Sequence, residues 1–192
     1  MNKNLELYRD ELETQGTNFF ILDTKGKGSV YGDVDFVAYC WDIDHYNQVN
    51  DGDLFIYRRQ QKASEIKGQF YFFGAGKISK IQSIEGKRVK GIISKAFIFD
   101  EPLLQEELED FKWEFRNRGK NWEHFFNQYG MNKITKNDFI HLLSFKPGVL
   151  QESKEISSGM DEEVKFYQRQ EGGNYRVEDQ EGSSKTRGAA QK

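Results

Sequence analysis

Cysteine is nearly absent. A single Cys40 excludes an internal disulfide and any zinc site built from several cysteines. Histidine is scarce as well: His45, His124 and His141 lie far apart, without metal-ligand spacing, which argues against most catalytic metal centres. No run of about 18 apolar residues occurs, and the opening MNKNLELYRDELE has no apolar signal region. Together these absences predict a soluble, cytoplasmic protein that avoids the membrane. No serine sits in a nucleophile elbow. Gly74-Ala-Gly76 lacks the third glycine and the following helix of a dinucleotide loop. Asp33, Asp35, Asp42 and Asp44 offer paired carboxylates, but aspartates in a loop between strands are usually just solvated. No catalytic residue, metal or cofactor is therefore expected in this segment.

What is present is aromatic. Phe, Tyr and Trp make up 15% of 192 residues that are 36% hydrophobic, enough to bury one core with a small appended unit. Many of these rings fall in strand-like segments: Tyr31, Phe36, Tyr39, Trp41, Phe55, Tyr57 and Phe70 to Phe73. Most must fill a core. A small barrel cannot turn all of them inward, so some are expected to line a groove where a π-face stacks on a base.

Charge is segregated although the total is only −3. Six aspartates and no lysine or arginine lie between Tyr31 and Asp53, whereas six basic residues face one glutamate between Lys77 and Lys95. Such a stripe creates a local positive field. A solvated edge strand guarded by lysines accounts equally for any one of them.

Strands are expected at Thr17–Leu22, Val34–Trp41, Asp53–Arg59, Gln69–Ile84 and Arg88–Phe99, the last ending at Asp100-Glu-Pro102. Alternation in Asp53–Arg59 sends Phe55, Tyr57 and Arg59 to one side and Leu54, Ile56 and Arg58 to the other. Gly74 and Gly76 mark a bend, a bulge or a close backbone approach. Phe70 and Phe72 should face the core, and Tyr71 or Phe73 a pocket. The first dozen residues suggest a short helix. Leu104, Leu108, Phe111 and Phe115 have helical spacing, Trp122–Tyr129 suggests a second helix, and Thr135-Lys-Asn-Asp138 caps a third. The fold class is thus α+β: a small curved, antiparallel or mixed, barrel-like sheet with a C-terminal cluster of about three helices. Residues 1–150 should form the domain, with the helical part from about 103, and 151–192 a linker or disordered tail carrying nine acidic and seven basic residues.

Three stretches in order, Tyr39-Cys-Trp41, Gly52-Asp-Leu-Phe-Ile-Tyr57 and Phe70-Tyr-Phe-Phe-Gly-Ala-Gly-Lys-Ile78, resemble the PUA-like superfold. Within it they are similar to the EVE and YTH-related readers of modified bases. The resemblance covers roughly Thr17 to Pro102. Readers of this kind stand N-terminal in modification-dependent restriction endonucleases, often ahead of an HNH-type nuclease domain. It implies a DNA-binding module that takes a flipped, methylated or hydroxymethylated cytosine into an aromatic pocket, RNA remaining open as a partner. On that footing Trp41, Tyr39, Tyr57, Phe73, Asp33 and Asn47 are expected at the base, and Arg58, Arg59, Lys77, Lys80, Lys87, Arg88 and Lys90 at phosphates. Gly74 and Gly76 would let a ligand backbone approach. The alternatives are a small-molecule module of the same superfold and a protein-interaction domain using Trp113, Trp122 and Phe126.

Overall fold

Phe19–Thr24 (β1) and Leu54–Arg59 (β3) are buried at every position, as strands covered on both faces must be. They pair in parallel at the middle of a mostly β structure. The computed structural model describes residues 3–26, 32–44, 46–66, 68–115 and 130–151, all within the compact unit Met1–Ser157. The other strands are Ala38–Asp42 (β2), Tyr71–Glu85 (β4), Arg88–Leu104 (β5), Met131–Ile134 (β6) and Gly148–Leu150 (β7). Among the described residues they make one seven-stranded sheet, ordered β2-β5-β4-β3-β1-β6, with β7 added to β5. The sheet curls into a half-barrel. At its β2 edge the Tyr39 hydroxyl donates to the Gly130 carbonyl at 2.7 Å, next to the β6 edge.

Alternation along the central strands splits the core in two. Phe20, Leu22, Phe55 and Tyr57 enter the inner cluster with Tyr39, Trp41, Ile78, Val89, Ile93 and Met131. Phe19, Ile21, Leu54 and Ile56 enter the outer cluster with Phe70, Phe72, Phe97 and Phe99. Each fully buried aliphatic or phenyl side chain contributes about 1.5–3 kcal/mol relative to exposure. Three helices are described, Lys3–Glu6 (α1), Arg9–Glu13 (α2) and Lys136–Phe145 (α3). Tyr8, Phe139, Leu142 and Leu143 from this layer complete the outer cluster.

β5 changes faces part-way, from Ile93 in the inner cluster to Phe97 in the outer one. The switch is a bulge: pairing moves from Lys77↔Ser94 to Ala75↔Phe97, and Lys95 between them takes a φ of 48°. The N-terminal segment clamps it. The Tyr8 hydroxyl donates to the Lys95 carbonyl at 2.7 Å, and Glu11 accepts from both Lys95 and Lys77 at 2.8 Å.

The first of the three expected C-terminal helices is corrected. Leu103 and Leu104 belong to β5, paired with Phe72 and Tyr71, and only a 3₁₀ turn, Gln105–Leu108, follows. Strand pairing and burial of Leu103 and Leu108 override the helical spacing. Pro102, expected to end the strand, sits where the register jumps from Gly74↔Ile98 to Phe72↔Leu103, a bulge that needs no donor from it. Trp122–Tyr129 lies outside the described residues, as does the segment from 152 onward. The third expected helix is α3, where Thr135 and Asp138 form the capping box. Asp138 is fully buried and also accepts the backbone N–H groups of Glu114 and Phe115 at 2.9 and 3.0 Å. Two strands were missed: β6, whose four residues follow a glycine, and β7, which pairs Phe97–Phe99.

Burial pushes the Glu11 carboxyl up, but the hydrogen bonds from Lys77 and Lys95 outweigh it and hold the group below its ordinary value. A carboxyl with a lower pKa folded than unfolded stabilises fully above its unfolded value, and that contribution is lost as pH falls through the folded value. Glu11→Gln should therefore lower the unfolding midpoint at neutral pH and make its decline between roughly pH 5 and 3 shallower than in wild type. Chemical denaturation across that range checks this, and parallel curves would contradict it.

Candidate functional site

The rings expected around a base are mostly structural. Trp41 is 7% exposed and lies on Gly91, where an added Cβ would come within 2.9 Å of the indole. Its Nε1–H donates to the Tyr46 carbonyl at 3.1 Å. β2 continues through Asp42, which leaves the indole, expected at the base, over the inner core. Tyr39 and Tyr57 are buried too, and burial pushes both phenols well above their ordinary value, so they act as neutral hydroxyls. The Tyr57 hydroxyl accepts the Phe36 N–H at 3.2 Å. Asn47 is exposed on the loop after β2, away from any pairing the strands impose.

Gly74 and Gly76 do serve close approach, but to the protein itself. A Cβ at Gly74 would meet the Phe36 ring at 2.7 Å, and one at Gly76 the Phe55 ring at 2.6 Å. At Gly74 the Cβ would come closer still to the Phe97 carbonyl oxygen, at 2.4 Å, so the expected ligand backbone is replaced by β5 and these two phenyl rings.

The two strand-end arginines are likewise committed inside. Arg58 is 1% exposed, grips the buried Asp23 carboxylate through Nε and Nη2 at 2.6 Å each, and lies over the Phe70 ring. Burial pushes Asp23 up, while Arg58 and Gln60 pull it back down. Arg59 donates to Thr24 Oγ1 at 2.6 Å and Asp35 at 2.7 Å, with its guanidinium over Phe73. Both guanidiniums, expected at phosphates, are thus engaged by groups of the protein itself. Lys77 is held by Glu11, and Lys87, although exposed, is ion-paired with Asp44.

Three expected phosphate ligands remain together on the surface. In the register, Lys80 faces Ile92, Gln82 faces Lys90, and on the other side of β5 Cys40 faces Lys90 and Asp42 faces Arg88. Val89 and Gly91 turn inward under Trp41, so Arg88, Lys90 and Ile92 turn outward by strand alternation. Burial and Asp33 raise the Cys40 thiol pKa, while Lys90 and Arg88 draw it down. Lys80 and Lys90 make no ion pair among the described residues. The outer face of β2, β5 and β4 therefore carries three cations against Asp42, with Glu85 at the turn.

A second cluster gathers at the opposite end of β4. Phe73 is half-buried and stacks on Tyr57 at 5.2 Å and 12°, and Phe36 packs edge-on to both rings. Asp33 and Asp35 act on the Tyr57 hydroxyl, and Asp33 accepts the Cys40 N–H at 2.8 Å. Phe36 has a φ of 64°, a strained conformation for a phenylalanine. Phe36 was expected only as one of the strand aromatics, not at the base; Gly74, whose missing Cβ makes room for its ring, points to it.

A cavity of about 430 Å³ lies between α2 and the Asn50–Asp53 turn, lined by Asp10, Glu11, Asp51, Asp53 and Lys77. Its carboxylates hold the fold: Asp53 accepts the Asn18 and Asn50 N–H groups, and Asp51 that of Ile81. This explains the Gly52-Asp53 pair, since Gly52 supplies a φ of 98° and Asp53 locks the turn to the start of β1. Among the described residues no group of three or more His, Cys, Asp or Glu side chains is placed to hold a metal ion. No helix of theirs is long and apolar enough to cross a membrane. No family model matches this chain, and no curated protein matches it.

Trp41→Ala should cost about 3–5 kcal/mol, because it empties the inner core over Gly91. Urea denaturation measures this, and a variant within about 1 kcal/mol of wild type would restore Trp41 to the candidate ligand contacts.

Proposed function

We propose that this module binds nucleic acid, with Lys80, Arg88 and Lys90 on the outer face of β2, β5 and β4 set against phosphates. The observation that carries the reading is the cross-strand grouping of these cations, two of them without an ion pair among the described residues. Phosphate contact supplies affinity and register, and base identity must be read elsewhere. The half-buried Phe36 and Phe73 rings would take an unstacked cytosine once the Arg59 guanidinium, which lies over Phe73 and holds Asp35, swings away. A π-face takes the ring, and a carboxylate accepts from its exocyclic amine. That the base is methylated or hydroxymethylated, that the fold is PUA-like and that a nuclease follows rest on the resemblance of the strand motifs to EVE and YTH-related readers. On this reading the chemistry of cleavage lies outside the segment.

Fluorescence polarisation on duplexes with cytosine, 5-methylcytosine or 5-hydroxymethylcytosine, repeated over a salt series, tests the proposal. Replacing Lys80, Arg88 and Lys90 together by Ala should reduce the slope of log affinity against log salt by roughly three units, equally on all three duplexes. Phe73→Leu should instead narrow the difference between modified and plain duplexes and leave the slope unchanged. An unchanged slope in the triple variant would remove this face from the interface.

A further inference from the structure

The β4–β5 hairpin ends in a feature that neither the core nor the phosphate face uses. Pairing steps from Ser83↔Val89 to Glu85↔Arg88, so Ile84 is skipped in the register and occupies a bulge of its own. It is 50% exposed. Bulges re-aim a side chain out of the ladder, and this one aims an isoleucine from a strand otherwise polar at its tip, Gln82-Ser83 before it and Glu85-Gly86 after it. Ile43, 44% exposed, lies at the same end, because its N–H donates to the Lys87 carbonyl at 2.9 Å. Lys87, Arg88 and Lys90 follow Ile84 directly in the turn and the returning strand. An exposed aliphatic residue at the hairpin tip, with β2 running alongside and Arg88 and Lys90 behind it, is complementary to a polyanion whose interior is apolar.

We infer that Ile84 is a wedge that enters a base step of duplex nucleic acid while the cations behind it hold the flanking phosphates. Apolar side chains inserted between base pairs partly unstack them and kink the duplex, and the unstacking is offset by the added backbone contact. The inference rests on the nucleic-acid reading above and assigns duplex, rather than single strand, as its substrate.

Short duplexes carrying 2-aminopurine at successive positions, bound to the full chain, test it. Fluorescence should rise at one step with wild type and stay flat with Ile84→Ser. That variant should bind duplex about tenfold more weakly, bind single strand unchanged, and keep the wild-type salt slope and melting temperature. Duplex binding without a fluorescence rise, or a rise that survives Ile84→Ser, overturns the wedge and leaves the phosphate face standing. Wild type that binds no duplex at low salt removes the nucleic-acid reading itself. Ile84-dependent binding to anionic phospholipid vesicles, with duplex binding unaffected by the substitution, would assign the tip to a lipid surface and overturn the wedge as well.

Discussion

Because β3 is covered on both faces, the two arginines that end it are taken out of water and must be paired within the protein. Leu54 and Ile56 face the helices, Phe55 and Tyr57 face the inside of the curl, and the strand continues into Arg58 and Arg59 with no exposed position. Arg58 finds Asp23, its register partner on the parallel strand β1. Arg59 finds Thr24 on the same strand and Asp35 on the loop before β2. The second arginine thereby ties that loop to the central strands and brings Phe36 against Tyr57 and Phe73. A buried guanidinium without such partners would cost several kcal/mol.

This arrangement decides where function is available. The charges with the most binding potential by residue type, the strand arginines, are consumed by the fold. The aromatic wealth of the chain is consumed likewise, in two clusters on opposite faces of one sheet. What is left outside is the far half of the β4–β5 hairpin, which runs past the last β3 partner of β4 at Lys77 and is backed by β2 alone. There the outward side chains are held by strand pairing but not covered, while Ile78, Val89 and Ile93 point into the inner cluster. The proposed contact with an extended anionic partner rests on this cationic projection.

Much of the sheet was legible because its strands are short apolar runs bounded by turns. The two faces of Asp53–Arg59 were assigned correctly from alternation, and Phe70 and Phe72 went to the core as expected. The failures have physical causes. Trp41 was expected at the base, yet β2 extends through Asp42, and its pairing with β5 turns the indole inward. The helical spacing of Leu104, Leu108, Phe111 and Phe115 was real, but Leu103 and Leu104 gain more as strand partners of Phe72 and Tyr71. Gly74 and Gly76 were recognised as points of close approach, while the partner, a ring from elsewhere in the chain, depends on tertiary contacts no local pattern encodes. The same holds for Arg58 and Arg59, whose counter-charges lie 35 and 24 residues away.

The dependence of the fold on paired charge inside β3 is tested most directly by breaking the Asp23–Arg58 pair and, separately, by replacing both partners with apolar residues. Asp23→Ala alone should cost about 3–5 kcal/mol by strandng the buried guanidinium, whereas Asp23→Leu combined with Arg58→Met should recover most of that loss. Equilibrium urea denaturation of the single and double variants gives both numbers. A single variant within about 1 kcal/mol of wild type, or a double variant no more stable than Asp23→Ala, would contradict the account.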